Sequence, residues 1–292
     1  MGVVVTHYNT PPTMTVCIIG AGELGGAVAH ALARGERVRR VLLIDEAGSI
    51  ASGKALDIQQ AGAVEGFHTR VEGSTDLTRV AGSAVCVVAD SGRSQAEWQG
   101  ERALAMMARL REFIGEVPVV FAGTESDLLL AVVREAGFER RCVCGSAPEA
   151  LAAAARAIVA LEARCSSSEV SLSVLGTPPS GFIVPWGEAS IGGYALERVL
   201  TQVQVRRVEA RLARLWPPGP HALGQAAAGV VEALLISARR AQSVLTVLSG
   251  EFGVRNRIGV LPCLLNPQGI AGVRVPSLST RERIQLETAL GA

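Results

Sequence analysis

From Met14 to about Gly145, short apolar runs alternate with stretches in which apolar residues recur every three to four positions. The runs are TVCIIG, RVLLID, AVCVVAD, VPVVFAG and RCVCG, each nearly unbroken, as expected of strands covered on both faces. Between them, ELGGAVAHALARG, SIASGKALDIQQAG, QGERALAMMARLREFIG and SDLLLAVVREAG carry the period of helices packed on a sheet. This beat predicts βαβ units on a parallel, doubly wound sheet over residues 14–146, an α/β architecture. A further short strand is expected at or just after His68.

Beyond Gly145 the rhythm changes. An alanine-rich helix, APEALAAAARAIVALEA, leads into SVLGTPPSGFIVPW, which reads as a strand, a break at two prolines and a second strand. Amphipathic helices through VEARLARLW and AAAGVVEALLISARR follow, then three strands and a helix beginning near STRERIQLE. WPPGP separates the two helices, because proline cannot continue the first. Residues 147–292 are therefore expected to form a C-terminal α+β lobe.

A chain of 292 residues can bury a large core. With 49% hydrophobic residues, 19% charged residues and a net charge of +1, it is neither a disordered chain nor one drawn to nucleic acid or an anionic membrane. Its expected partner is a small molecule, with a homo-oligomer of this chain (dimer or tetramer) beside it. Mean hydropathy is +0.32, yet Gly, Arg or Glu interrupts every long apolar run before the roughly 20 residues a membrane span requires. The opening MGVVVTHYNTPPT lacks a basic segment followed by an apolar core, and reads as an extension and not a signal peptide. Six scattered cysteines suit reduced, buried thiols in a cytoplasmic protein, and Cys142 and Cys144 alternate on one strand face as core residues do, so no metal site is expected.

The first strand runs directly into GAGELG. In a strand–turn–helix setting, Gly20 permits the tight turn, Gly22 lets the backbone approach a diphosphate and Gly25 lets the helix sit close to the strand. Glu23 and Leu24 then open a helix whose free N–H groups face the phosphates. Asp45 ends the second strand, within the window where a carboxylate meets a ribose hydroxyl, and Glu46 beside it would repel a 2′-phosphate, which favours NAD over NADP. Ala89 and Gly123, near the ends of two later runs, complete the expected cofactor contacts. The competing reading is that the glycine-rich turn is purely structural.

These segments, with VPWGEASIGG and VVEALLISARRAQSVLTVLSGEFGVRNRIGVLPCLLNPQGI further on, resemble the NAD-dependent lactate and malate dehydrogenase family over nearly the whole chain from Met14. The resemblance implies a Rossmann fold, and hydride transfer between nicotinamide and C2 of a 2-hydroxy acid. In that family a His moves the proton, an Asp orients the His, one Arg forks the substrate carboxylate and a second Arg on a mobile loop polarises the carbonyl. Here Pro178 stands at the His, Leu151 at the Asp, Ala154 at the forking Arg and Gln99 at the polarising Arg. Gly123 replaces an Asn. Arg156 matches a final helix arginine, and Arg93 matches the loop arginine that sets specificity in malate enzymes, and so is the substrate-binding candidate. The resemblance thus implies an NAD site kept and a catalytic set mostly lost. The alternatives are a dehydrogenase on an unusual substrate, with Asp90 or His221 as weak catalytic candidates, and a non-catalytic NAD-binding subunit or sensor. An NAD glycosidase lacks its metal ligands here. His7, His30 and His68 are read as non-functional. The helix SIASGKALDIQQAG, with Ile50, Ala51, Ala55, Leu56, Ile58 and Ala61, offers more apolar surface than one core stripe needs and is the expected subunit contact.

Overall fold

The computed structural model describes residues 14–179, 181–212 and 214–291; His7 lies outside them. The first half runs β1 (Thr15–Ile19), α1 (Glu23–Gly35), β2 (Arg40–Ile44), α2 (Gly48–Glu65), β3 (Arg70–Ser74), β4 (Val85–Val88), α3 (Gly100–Ile114), β5 (Val119–Phe121), α4 (Asp127–Arg134) and β6 (Val143–Gly145). These strands lie parallel in the order β3-β2-β1-β4-β5-β6. The order in which strands are added to the sheet reverses between β1 and β4, which opens a crevice at their carboxyl ends, where such folds bind ligands.

Alternation along β1 explains the unbroken apolar runs. Val16 and Ile18 enter a core shared with α1, α2 and α8 (Pro220–Ile236), while Cys17 and Ile19 enter a second core with α3 and α4. The strand after His68 is β3, an edge strand in which only Val71 is fully buried and Gly73 sits tight against the α2 backbone.

The second half continues with α5 (Ala147–Ala163), β7 (Val170–Ser171), β8 (Leu175–Thr177), β9 (Gly181–Ile183), β10 (Ser190–Ile191), β11 (Tyr194–Ala195), α6 (Leu196–Val199), α7 (Gln202–Leu212), then α8, β12 (Gln242–Ser249), β13 (Arg255–Asn266), β14 (Gly269–Val273) and α9 (Thr280–Leu290). It does not build a wholly separate sheet. Strand β12 pairs antiparallel with β6, Leu245 opposite Gly145, so one 11-stranded sheet runs on through β12, β13, β8 and β9, with β14 on β13. Only β7, β10 and β11 form a small sheet of their own. Helix α8 starts with Pro220 at a position whose N–H has no helical partner in any case. It packs on α1 so closely that a Cβ at Gly224 would lie 2.7 Å from Ala27. No helix among the described residues is long and apolar enough to cross a membrane.

Candidate functional site

The glycine loop joins β1 to α1 at the reversal point, as its position in the sequence requires. The N–H groups of a helix start point outward and need acceptors. Here the protein supplies an acceptor for each from Ala21 to Gly26. Ala21 N–H donates to Asp45 Oδ2 (2.9 Å), Glu23 N–H to Gln95 Oε1 (3.0 Å), Leu24 N–H to Asp90 Oδ2 (3.0 Å) and Gly25 N–H to Asp90 Oδ1 (2.8 Å). Gly22 N–H donates to the Asp90 carbonyl (3.1 Å) and Gly26 N–H to the Gly22 carbonyl (3.1 Å). Lys54 Nζ donates to the Gly22 carbonyl at 2.7 Å and covers the loop from α2.

Asp45 does not meet the cleft as a ribose ligand would. It is 3% exposed, and its carboxylate also accepts from Ala47 N–H (2.8 Å) and Gly92 N–H (2.7 Å). Its two oxygens thereby tie the end of β2 to the glycine loop and to the β4–α3 connection. Glu46 is exposed and pairs with Arg102 at 2.5 Å.

The β4–α3 connection folds into a tight hairpin. Asp90 and Glu97 face each other across an antiparallel bridge, Ser91 N–H donates to the Ala96 carbonyl (2.9 Å), and Gln95 adopts φ +54° while its amide donates to the Gly92 carbonyl (2.7 Å). Each of the two bridged residues accepts two backbone N–H groups with its carboxylate. Asp90 caps α1. Glu97 accepts from Thr124 N–H (2.8 Å) and Glu125 N–H (2.9 Å), just ahead of α4. Trp98 packs into the second core behind them, and only about 10 Å³ remains between Glu97, Trp98, Ala89 and Gly123.

A bound dinucleotide would place its diphosphate against the glycine-loop N–H groups, and the residues present do not fit it. A Cβ built on Gly22 would lie 2.3 Å from the Asp90 carboxyl carbon, and one on Gly123 would lie 1.9 Å from Glu97 Oε2. The room those glycines leave is thus taken by side chains of this chain. A carboxylate at a helix start is well placed by the dipole and by two charge-assisted hydrogen bonds of about 1.5–3 kcal/mol each.

The remaining candidates scatter. Arg93 sits exposed on the hairpin, and Gln99 is exposed just before α3. His221 is exposed at the start of α8 and lines neither cavity described here. His30 contacts Glu65 at 2.9 Å, and His68 lies exposed beside Glu36. Arg156 pairs with Glu149 at 2.8 Å, and Glu149 in turn accepts from Ser243 N–H, so this arginine braces α5 against β12. Leu151 and Pro178 line a cavity of about 700 Å³ between the β8–β9 hairpin, α7 and α9, together with Phe182, Trp186 and Trp216. Its carboxylates are committed: Glu209 accepts from Trp186 Nε1 (2.8 Å), while Glu282 accepts from Trp186 N–H (3.2 Å) and caps α9 through Ser279. No group of three or more His, Cys, Asp or Glu among the described residues could hold a metal ion.

The reading from sequence alone missed Glu97, Gln95 and Lys54. Gln95 and Glu97 gave no signal in isolation. Lys54 lies on α2 and reaches the loop only through tertiary packing.

Fold and glycine loop together define the chain as a doubly wound α/β protein of the Rossmann type. No family model matches it. It is 26% identical to the malate dehydrogenase of Thioalkalivibrio sulfidiphilus, with 94% of this chain and 95% of the relative aligned. Its structure is similar to that of malate dehydrogenase from Salinibacter ruber (TM-score 0.82, 23% identity, 95% and 94% of the two chains). It is also similar to lactate dehydrogenase from Cryptosporidium parvum complexed with lactic acid and nicotinamide adenine dinucleotide (TM-score 0.85, 21% identity, 97% and 96%). Along nearly its whole length the chain is thus similar in sequence to malate dehydrogenases, and in fold to malate and lactate dehydrogenases.

Proposed function

We propose that this chain is a non-catalytic member of its family, a dehydrogenase fold in which the 2-hydroxy acid reaction has been lost. One observation carries the reading. Pro178 and Leu151, at the positions of the proton-carrying His and its orienting Asp, line the same cavity and bring no exchangeable proton to it. Proton transfer in this reaction needs an imidazole held by a carboxylate, and a positioned acid–base contributes roughly 10²–10⁴-fold. Ala154 offers nothing to fork a carboxylate, and Arg156 is spent on Glu149. Support for a working enzyme with a substitute base is thin, because both Asp90 oxygens are engaged by backbone N–H groups and His221 faces solvent. The role that suits the fold is that of a binding or structural subunit.

The test is turnover by the purified chain, with NADH against oxaloacetate and pyruvate, and with NAD against a panel of 2-hydroxy acids and alcohols. The expected rate is indistinguishable from buffer. A kcat near or above about 1 s⁻¹, the lower end of ordinary enzymes, would overturn the reading.

A further inference from the structure

We propose that the β4–α3 hairpin is a built-in occupant of the diphosphate cradle, with the Asp90 carboxylate in the place of a phosphate, and that this chain therefore excludes nucleoside diphosphates and dinucleotides. The proposal rests on the non-catalytic reading and goes further, because loss of the proton relay does not by itself close a cofactor site. Donor accounting is its basis: each N–H from Ala21 to Gly26 has an acceptor within the chain, and four of the six use Asp45, Asp90 or Gln95 side chains. A diphosphate arriving there would find no free backbone donor, and would meet the Asp45 and Asp90 carboxylates at close range.

The occupant is also hard to displace. Asp90 is 5% exposed, its backbone is held by the bridge to Glu97 and by Gly22 N–H, and Glu97 is anchored at the start of α4. Moving the hairpin to swing Asp90 out would therefore break contacts at the start of α1, at Thr124 and Glu125 ahead of α4, and at Gly92, where Asp45 holds the hairpin. A carboxylate belonging to a loose turn would be solvated and would not fill the space beside Gly22.

Calorimetric titration of the full chain, Asp90→Ala and Asp90→Asn with NAD, ADP and inorganic pyrophosphate tests this, with circular dichroism to confirm folding. The unaltered chain should show no binding tighter than about 1 mM. Asp90→Ala should bind ADP and pyrophosphate at least tenfold more tightly. Asp90→Asn, which keeps the shape and loses the charge, should shift the same way by less, and it carries the test should the alanine variant fail to fold. Micromolar NAD binding by the unaltered chain would overturn the proposal, and so would folded variants that bind no more tightly than it does. NAD binding without turnover would sink this proposal alone, whereas turnover of a 2-oxo acid by Asp90→Ala would sink the non-catalytic reading and leave the proposal standing.

Discussion

Replacing Asp45 by Ala separates a structural carboxylate from a ribose ligand. In this fold the side chain is buried and accepts from the N–H groups of Ala21, Ala47 and Gly92 at 2.7–2.9 Å. Hydrogen bonds to a charged acceptor are worth about 1.5–3 kcal/mol each, and a buried donor left unpaired costs a similar amount. The three share one carboxylate, so their losses do not simply add, and water can reach part of the space. A loss of about 3–5 kcal/mol is expected, a large share of the roughly 5–15 kcal/mol by which a domain is stable. Urea denaturation followed by tryptophan fluorescence would read it as a lower midpoint at unchanged slope. Asp45→Asn should also destabilise, because its amide nitrogen would face a donor. A loss below about 1 kcal/mol in Asp45→Ala would refute the structural role, and unchanged stability together with weakened NAD binding would restore the ribose role that the sequence suggests.

Grafting Thr177→Glu, Pro178→His, Pro179→Gly and Ser180→Asp should not produce lactate or malate dehydrogenase activity, since Leu151 cannot orient the new imidazole; robust NADH oxidation with pyruvate or oxaloacetate would contradict this. Burial pushes the Cys263 thiol up to about 12 and raises Cys144 and Cys142 as well, so at pH 8 a thiol reagent should modify half-buried Cys165 quickly and the other five only in denaturant; a second fast thiol would contradict the packing. Burial raises the Glu251 carboxyl, but the Ser249 N–H and the Arg140 guanidinium more than offset it, leaving its pKa below the ordinary value. The unfolded chain then takes up that proton first, so Glu251→Gln should destabilise at pH 7 and the difference should shrink as pH falls below about 4.3; a constant difference down to pH 2 would count against the clasp. For assembly through α2, Leu56 (56% exposed) and Val64 (88%) are the apolar residues left outward, whereas Ala51, Ala55 and Ile58 are buried in the core. The chain should therefore sediment as a dimer or tetramer at micromolar concentration and Leu56→Glu as a smaller species, and a monomeric unaltered chain would end that expectation.

The parallel half was legible because strands buried on two faces write themselves as unbroken apolar runs, and because the segments between them, α1 among them, keep a helical apolar period. Strand β3 left only a faint mark, since an edge strand with one buried residue lacks that pattern. The pairing of Gly145 with Leu245 could not be read, because contacts so distant in the chain leave no local period, and the expected second lobe turned out to share the first sheet. The site divides in the same way. The glycine loop and Asp45 are local and were found. Asp90 was identified only as a turn residue or a weak base, and its place at a helix start 66 residues away is visible only in three dimensions. A carboxylate one residue past Ala89 at the reversal point of the sheet was the available hint, and its sign, negative where an anion binds, was the part left unread.

Whether the Asp90 hairpin holds the cradle is decided by a crystal structure determined after growth in about 10 mM NAD, well above the millimolar Kd that marks weak binding. That structure should show Asp90 bonded to the N–H groups of Leu24 and Gly25, Glu97 bonded to those of Thr124 and Glu125, and no dinucleotide along the carboxyl edge of the sheet. Density for a diphosphate on the glycine loop, with Asp90 turned away from α1, would contradict that expectation.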